Sequence, residues 1–188
     1  MAKVEVKEPD MVVIEFHQER SDDDYGSCIW ARFVLDTKNY DLHITSDCGE
    51  YGYSGWIPTP DKESFLKLLS RMGSEYLLSK ISDLSVINTE QTYEEIKKYI
   101  EAFNYKYESG KDLDIDMDSI YTACTYDSSG DIVAGVRSIL SNTWLDNIID
   151  DYEIYNCICE DYPVQAKKIA EIFKTYIQPK IKEILMEE

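Results

Sequence analysis

The sequence predicts an α+β fold, in which an N-terminal antiparallel sheet packs against several C-terminal helices. Over residues 1–57, apolar and polar residues alternate in short runs rich in β-branched side chains, which is typical of strands. After Pro58 and Pro60 the apolar residues recur at helical spacing instead. With 188 residues, 44% of them hydrophobic, the chain is expected to form one domain, 1–188, mainly strands over 1–57 and mainly helices over 58–188.

Four strands are expected in the first part of the chain. β-Branched and aromatic residues indicate the first two, and alternation indicates the third. The fourth is either a strand or an irregular aromatic loop, because glycines surround it. The expected strands cover residues 11–16, 28–35, 40–46 and 51–56. Short polar connections between them predict a meander.

Helices are expected in the remainder. Asp61 is a candidate N-cap of the first helix, and Thr89 or Thr92 begins the third. Pro163 suits the first position of the last helix, which Pro179 is expected to bend. Residues 105–111 read as a polar connection. Residues 112–125 and 152–159 fit either a strand or a helix, whereas helices are expected at 74–81 and 128–143.

The chain is strongly acidic, with 37 Asp and Glu against 19 Lys and Arg and a formal net charge of −18. A surface of this sign repels nucleic acids and anionic membranes and attracts basic surfaces. We therefore expect a basic protein partner, no direct nucleic-acid binding and no membrane association. Neither a signal-peptide pattern nor a membrane-span pattern is visible, and the five cysteines include no CxxC pair, so a cytoplasmic protein with reduced thiols is expected.

The excess of negative charge is concentrated in residues 112–163, which hold 12 acidic residues and 1 basic residue. Aspartates alternate with apolar residues from Asp112 to Asp118, so an extended chain would place them on one face about 6.6–6.8 Å apart. This spacing resembles that of phosphates and predicts a partner-binding surface. The alternative is a solvated strand or helix start whose apolar residues face the core. The predicted acidic site comprises Asp112, Asp114, Asp116, Asp118, Asp146, Asp150, Asp151 and Glu153.

No pattern indicates a catalytic centre. The sequence lacks HExxH, GxSxG and glycine-rich phosphate loops. A calcium loop starting at Asp112 or Asp114 would lack the required Gly and Glu. No catalytic residue, metal ligand or cofactor is predicted, and the protein is not expected to be an enzyme. Because carboxylates are abundant, a metal-dependent carboxylate hydrolase is kept as an alternative.

The segment Asp47-Cys48-Gly49-Glu50-Tyr51-Gly52-Tyr53-Ser54-Gly55-Trp56 places three aromatic residues among three glycines. Glycine permits unusual backbone conformations, and Tyr and Trp offer a large contact area with a polar tip. Tyr51, Tyr53 and Trp56 therefore form either an aromatic partner-binding edge or a glycine-bent strand whose rings pack on the next helix.

This aromatic block, with Phe65-Leu66-x-Leu68-Leu69 and Glu75-Tyr76-Leu77-Leu78-Ser79-Lys80 after it, resembles a family of small, largely uncharacterised phage and prophage proteins. The resemblance covers roughly residues 30–81. It departs from the family pattern at Ser54-Gly55, where the family more often has one residue, frequently Arg, before the Trp. The resemblance implies a mobile-element origin and residence in the host cytoplasm.

Charge and resemblance together predict an acidic phage-encoded inhibitor that binds a basic nucleic-acid-binding surface of a host defence protein. The concrete form is an anti-CRISPR protein acting on a Cas9–guide RNA complex, because such effectors hold nucleic acid in a positively charged channel. The alternative is a phage accessory or assembly protein that acts through Tyr51, Tyr53 and Trp56.

Overall fold

The computed structural model describes residues 8–57, 63–107, 115–141, 143–147 and 149–187. They divide into two compact units. The sheet unit combines the chain up to Asp83 with the chain from Tyr162 onwards, and the helical unit is Leu84–Asp161. The α+β prediction is confirmed, because a four-stranded antiparallel sheet precedes a series of helices. The expectation of one domain over residues 1–188 stays a prediction.

Four antiparallel strands form a meander in the order β1-β2-β3-β4, as expected. They are β1 (Met11–His17), β2 (Trp30–Asp36), β3 (Asp41–Ser46) and β4 (Gly49–Tyr53). The register pairs Phe33 of β2 with Ile14 and Ile44 on its two neighbours. Alternate residues of β2, including Ala31 and Phe33, are buried, so one face of the sheet carries the core. The ambiguous fourth segment is a strand at its start, since β4 ends at Tyr53 and residues 54–56 of the expected strand lie outside it.

Eight α-helices follow in the described residues, with one 3₁₀ turn, one π-helical segment and two short strands. Ser64 caps the first helix by accepting the N–H of Lys67 at 3.3 Å, whereas Asp61 lies outside the described residues. In chain order the elements are α1 (Phe65–Arg71), α2 (Ser74–Ile81), β5 (Val86–Ile87), α3 (Thr89–Tyr107), α4 (Met117–Cys124), α5 (Ser129–Leu140), the 3₁₀ turn (Trp144–Asn147), α6 (Asp151–Asn156), β6 (Glu160–Asp161), α7 (Val164–Ile172), the π-helical segment (Phe173–Ile177) and α8 (Gln178–Glu187).

The core of the sheet unit lies between the sheet and four helices, with α1 packed on α8 and α2 on α7. The rings of Phe33 and Phe173 lie 6.2 Å apart across this core. Gln178 is buried, and its amide donates to the carbonyls of Leu69 and Met72 at 2.9 Å each. The Leu69 carbonyl also accepts the N–H of Met72 at 3.3 Å, so the Gln178 amide gives it a second donor and supplies a donor to the Met72 carbonyl at the C-cap of α1.

The C-terminal helix departs from the expectation at Pro163, whereas the bend expected at Pro179 stays a prediction. Pro163 is the N-cap of α7 and not its first helical residue. Pro179 has no N–H, and its ring would crowd the carbonyl of Thr175 in a regular α-helix. The wider π-helical segment just before it, in which the N–H of Gln178 donates to the carbonyl of Phe173, relieves that crowding.

The helical unit has its own core, formed by α3 to α6 and the 3₁₀ turn. Among the described residues, the first ambiguous segment contains helix α4 and the second contains most of helix α6. The expectation of a polar connection from residue 105 is wrong for its first three residues, because α3 runs to Tyr107. The pairing of β5 with β6 was not expected, because two-residue strands leave no periodic signal. The buried core residues include Ile96, Ile100, Ile120, Ile132, Val136, Leu140, Leu145 and Ile154.

Candidate interaction surfaces

Most of the charge imbalance belongs to the helical unit. Leu84–Asp161 contain 17 acidic and 5 basic residues, a net charge of −12, whereas the rest of the chain has 20 and 14, a net charge of −6. The helical unit is therefore the main source of the negative field around the protein.

Three cations of the helical unit have side chains that the structure describes, Lys97, Lys98 and Arg137, and each of them has a partner close by. Lys98 pairs with Glu95 at 2.7 Å. Lys97 lies over the ring of Tyr93, with 5.9 Å between its Nζ and the ring centroid. Arg137 is the third of these cations, and its partners also belong to the helical unit. Little described positive charge is thus left to offset the surrounding carboxylates.

Arg137 of α5 holds the segment that leads into α6. One guanidinium nitrogen donates to the carbonyls of Asp146 and Ile149 at 3.0 and 2.6 Å. The same group pairs with the carboxylates of Asp146 at 3.4 Å and Asp151 at 3.0 Å. The single positive charge of Arg137 therefore lies against two residues of the predicted acidic site and offsets one of their two negative charges.

Asp150 and Glu153 form a capping box at the start of α6. Asp150 Oδ1 accepts the N–H of Glu153, and Glu153 Oε2 accepts the N–H of Asp150, both at 2.9 Å. Tyr99 of α3 also interacts with Glu153. Burial and a hydrogen bond to this carboxylate raise the pKa of Tyr99. Both carboxylates thus have a structural task, although Asp150 stays exposed.

The described part of the segment with alternating aspartates is not a strand. Asp116 caps α4 by accepting the N–H of Ser119 at 3.1 Å and its hydroxyl at 2.6 Å, which lowers the pKa of Asp116. Asp118 lies in the first helical turn, so these two carboxylates do not share one strand face. Ile115 and Met117 pack against the helical core, as the helix-start interpretation required. The other two, Asp112 and Asp114, lie outside the described residues.

Two shallow depressions flank Ala134 on the exposed side of α5, and together they form what we term the α5 surface. Small side chains on α5 leave space for the two depressions, and tyrosine and carboxylate side chains line them. Tyr126, Tyr152 and Tyr155 are 46%, 72% and 57% exposed. Such amphipathic rings suit contact with another protein. The lining residues are Thr125, Tyr126, Asp127, Asp131 and Gly135 on one side, and Gly130, Val133, Arg137, Asp151, Tyr152 and Tyr155 on the other.

Of the predicted acidic residues, the α5 surface contains Asp151 alone. Tyr152 and Tyr155 were not among the predicted site residues, because the sequence of residues 152–159 fits either a strand or a helix. On a helix, Tyr152 and Tyr155 are one turn apart while Ile154 faces the core, and that spacing was the available signal.

The aromatic block is largely part of the sheet unit's core. Trp56 is 8% exposed, 4.6 Å from the ring of Tyr53 in edge-to-face contact and 5.5 Å from that of Phe65 in α1. A Cβ at residue 55 would lie 2.6 Å from the end of the Tyr53 side chain, so a larger residue there would displace that ring. Tyr51 is half-buried and donates its hydroxyl to the carbonyl of Cys48 at 2.9 Å. The rings thus pack towards the next helix, and their use as a binding edge stays a prediction.

None of the helices in the described residues combines the length and apolar character that crossing a membrane requires. The model of a phage family, Phage_phiTE_072, matches residues 11–183. No curated protein and no solved structure matches the chain.

Proposed function

Because the chain belongs to the phage family Phage_phiTE_072, we propose that it acts in the host cytoplasm as an acidic, non-enzymatic inhibitor. Its target would be a basic nucleic-acid-binding surface of a host defence protein, such as a Cas9-type CRISPR effector with its guide RNA. The observation that carries this proposal is the net charge of −12 on the helical unit, whose described cations are already engaged.

The mechanism is electrostatic competition. A field of this sign steers the protein towards a basic channel and disfavours encounters with nucleic acid itself. Once docked, the protein would cover side chains that otherwise neutralise phosphates, so nucleic acid is excluded without chemistry. The proposal depends on the summed field of the helical unit and not on a regular ladder of aspartates, since α4 begins at Met117.

The test uses a helical-unit variant that combines three substitutions, Asp116→Asn, Asp118→Asn and Asp150→Asn. It loses three negative charges but keeps the contacts of the folded protein. Asn is as good an N-cap as Asp, so Asp116→Asn and Asp150→Asn retain both caps. Asp118→Asn changes an exposed side chain. The matched control removes three exposed charges from the sheet unit, at Asp23, Glu75 and Glu187.

The measurement is cleavage of labelled target DNA by Cas9–guide RNA complexes of several orthologues, with increasing amounts of each protein. We expect the wild type and the control to inhibit, and the helical-unit variant to inhibit more weakly. Inhibition should fall as salt rises from about 50 to about 200 mM. If no orthologue is inhibited, the Cas9 assignment is wrong, and if both variants inhibit equally, the helical-unit field is not the cause.

A second candidate is a phage accessory or assembly protein that acts through an aromatic protein interface. The exposure of Tyr152 and Tyr155 favours this function. It also indicates that the interface lies on the α5 surface and not at Tyr51, Tyr53 and Trp56. This function predicts partner binding that is insensitive to salt and is lost on Tyr152→Ala with Tyr155→Ala. Salt-sensitive binding that survives those changes would exclude it.

A further inference from the structure

Three possible metal-binding side chains converge at one edge of the sheet unit. Antiparallel pairing of β2 with β3 sets Ala31 opposite Ser46, and the same register brings Cys28 and Cys48 together beyond the strand ends. The Cys28 sulfur, an Asp47 oxygen and the Cys48 sulfur all lie within 4.8 Å of one another. The group has no signature in the sequence, because two cysteines twenty residues apart match no metal-binding motif.

The carboxylate of Asp47 is already fixed in place. Oδ2 accepts the N–H of Ile29 at 2.9 Å, and Oδ1 accepts the N–H of Trp30 at 3.2 Å. The Cys28 thiol lies 3.5 Å from the same Oδ1. Backbone donors of this kind orient a metal-binding carboxylate without occupying all its lone pairs.

The backbone of Cys48 is also fixed in place. Cys48 donates its N–H to Ser46 Oγ at 3.1 Å, and its carbonyl accepts the hydroxyl of Tyr51 at 2.9 Å. Cys28 is fully buried, Cys48 is half-buried and Asp47 is exposed. An ion could therefore enter from the side of Asp47 and reach the buried sulfur last.

We propose that Cys28, Asp47 and Cys48 bind one Zn²⁺ ion, with water as the fourth ligand. Zn–S bonds of about 2.3 Å and Zn–O bonds of about 2.0–2.2 Å in a tetrahedron place sulfur and oxygen about 3.5–3.6 Å apart. The observed separation of Cys28 Sγ and Asp47 Oδ1, 3.5 Å, fits that edge. Two sulfur ligands favour zinc over magnesium or calcium.

Binding of Zn²⁺ displaces the protons of the two thiols. Each thiol loses its proton to solvent as a zinc–sulfur bond forms, so one Zn²⁺ releases two protons and no electron is transferred. The ion would tie the chain before β2 to the turn between β3 and β4. This site lies in the sheet unit and does not depend on the proposed function of the helical unit.

The experiment is a Co²⁺ titration of the full chain, reduced with a phosphine and followed by absorbance. Thiolate-to-cobalt charge transfer and the visible bands of tetrahedral cobalt should saturate at one equivalent, and Zn²⁺ should abolish both. Cys48→Ser should weaken Co²⁺ binding by more than about tenfold. Asp47→Asn should weaken it as well and tests the carboxylate without removing a sulfur.

The control is the double change Cys157→Ser with Cys159→Ser, because these two cysteines are neighbours in the sequence and belong to the helical unit. It should bind Co²⁺ as the wild type does. Circular dichroism verifies that each variant is folded. Absence of the charge-transfer band in the wild type, or its loss in the Cys157/Cys159 control with retention in Cys48→Ser, would overturn the proposal.

Discussion

Arg137 Nε lies 3.0 Å from Oδ1 of Asp151, which joins α5 to the first residue of α6. Arg137 is the single basic residue among residues 112–163, and its other donors reach the carbonyls of Asp146 and Ile149. Within residues 112–163, the single cation therefore stabilises the connection between α5 and α6. A guanidinium suits this task because its planar group of donors can serve several acceptors at once.

Replacing Arg137 by Gln should destabilise the helical unit. The change removes hydrogen bonds to two carbonyls and leaves Asp146 and Asp151 without their shared cation. Hydrogen bonds to charged groups contribute about 1.5–3 kcal/mol, so we expect a loss of about 2–3 kcal/mol in the free energy of unfolding. Urea unfolding at neutral pH, followed by circular dichroism, measures it.

Lys98→Gln is the control for that experiment, because Lys98 and Glu95 form an exposed helical pair. Its loss should cost less than about 0.5 kcal/mol. If Arg137→Gln cost no more than Lys98→Gln, the guanidinium contacts would contribute nothing measurable to stability.

Trp56→Ala should destabilise the protein strongly. The ring is 8% exposed and packs against Tyr53 and Phe65, so its removal leaves a cavity in the sheet unit. Removal of a buried Trp typically costs about 3–5 kcal/mol. The urea midpoint should fall accordingly, whereas Tyr152→Ala, at a side chain that is 72% exposed, should change stability by less than about 0.5 kcal/mol. A Trp56→Ala protein with the wild-type midpoint would show that the ring is not a core element.

The strands and the α+β class could be predicted from the sequence because a half-buried sheet requires a period of two. The register of β2 and β3 could also be predicted. Once Asp36 and Asp41 are placed opposite each other across the turn, Cys28 must approach Cys48. The carboxylate between them could not be foreseen as a ligand, since its orientation depends on the N–H groups of Ile29 and Trp30.

The acidic surface was harder to predict for a physical reason. Asp accepts backbone N–H groups at helix starts as readily as it faces water, and charge alone does not separate the two roles. Asp116 and Asp150 both cap helices. The tyrosines of the α5 surface follow from the helical spacing of α6, which a six-residue helix shows too weakly to be recognised beforehand.

Asp150→Ala and Asp150→Asn should differ, although both remove one negative charge. Alanine removes the acceptor for the N–H of Glu153, and loss of an N-cap costs about 0.5–2 kcal/mol. Asparagine keeps an acceptor oxygen and should lie within a few tenths of a kcal/mol of the wild type. Urea unfolding of the two variants checks this. Equal losses would show that the charge of Asp150, and not its cap, stabilises α6, and would disqualify Asn as a neutral replacement in the inhibition test.

Asp36 should make the stability of the sheet unit depend on pH. The amide of Asn39 donates to Asp36 Oδ2 at 2.7 Å, and the N–H groups of Lys38 and Asn39 donate to Oδ1 at 3.1 Å each. These bonds, the side-chain bond of Asn39 first, lower the pKa of Asp36 in the folded state. The folded protein therefore binds this proton less readily than the unfolded chain, whose Asp pKa is about 3.9.

The stabilisation is complete well above that unfolded value and is lost as the pH falls through the lower folded pKa. Asp36→Asn lacks the titrating group, so the difference in urea midpoint between wild type and Asp36→Asn should be largest at neutral pH. It should shrink on acidification below about pH 4. Asp23→Asn, at an exposed position, controls for the loss of one charge. A midpoint difference that stayed constant from neutral to acid pH would mean that the Asn39 and backbone contacts do not favour the charged form of Asp36.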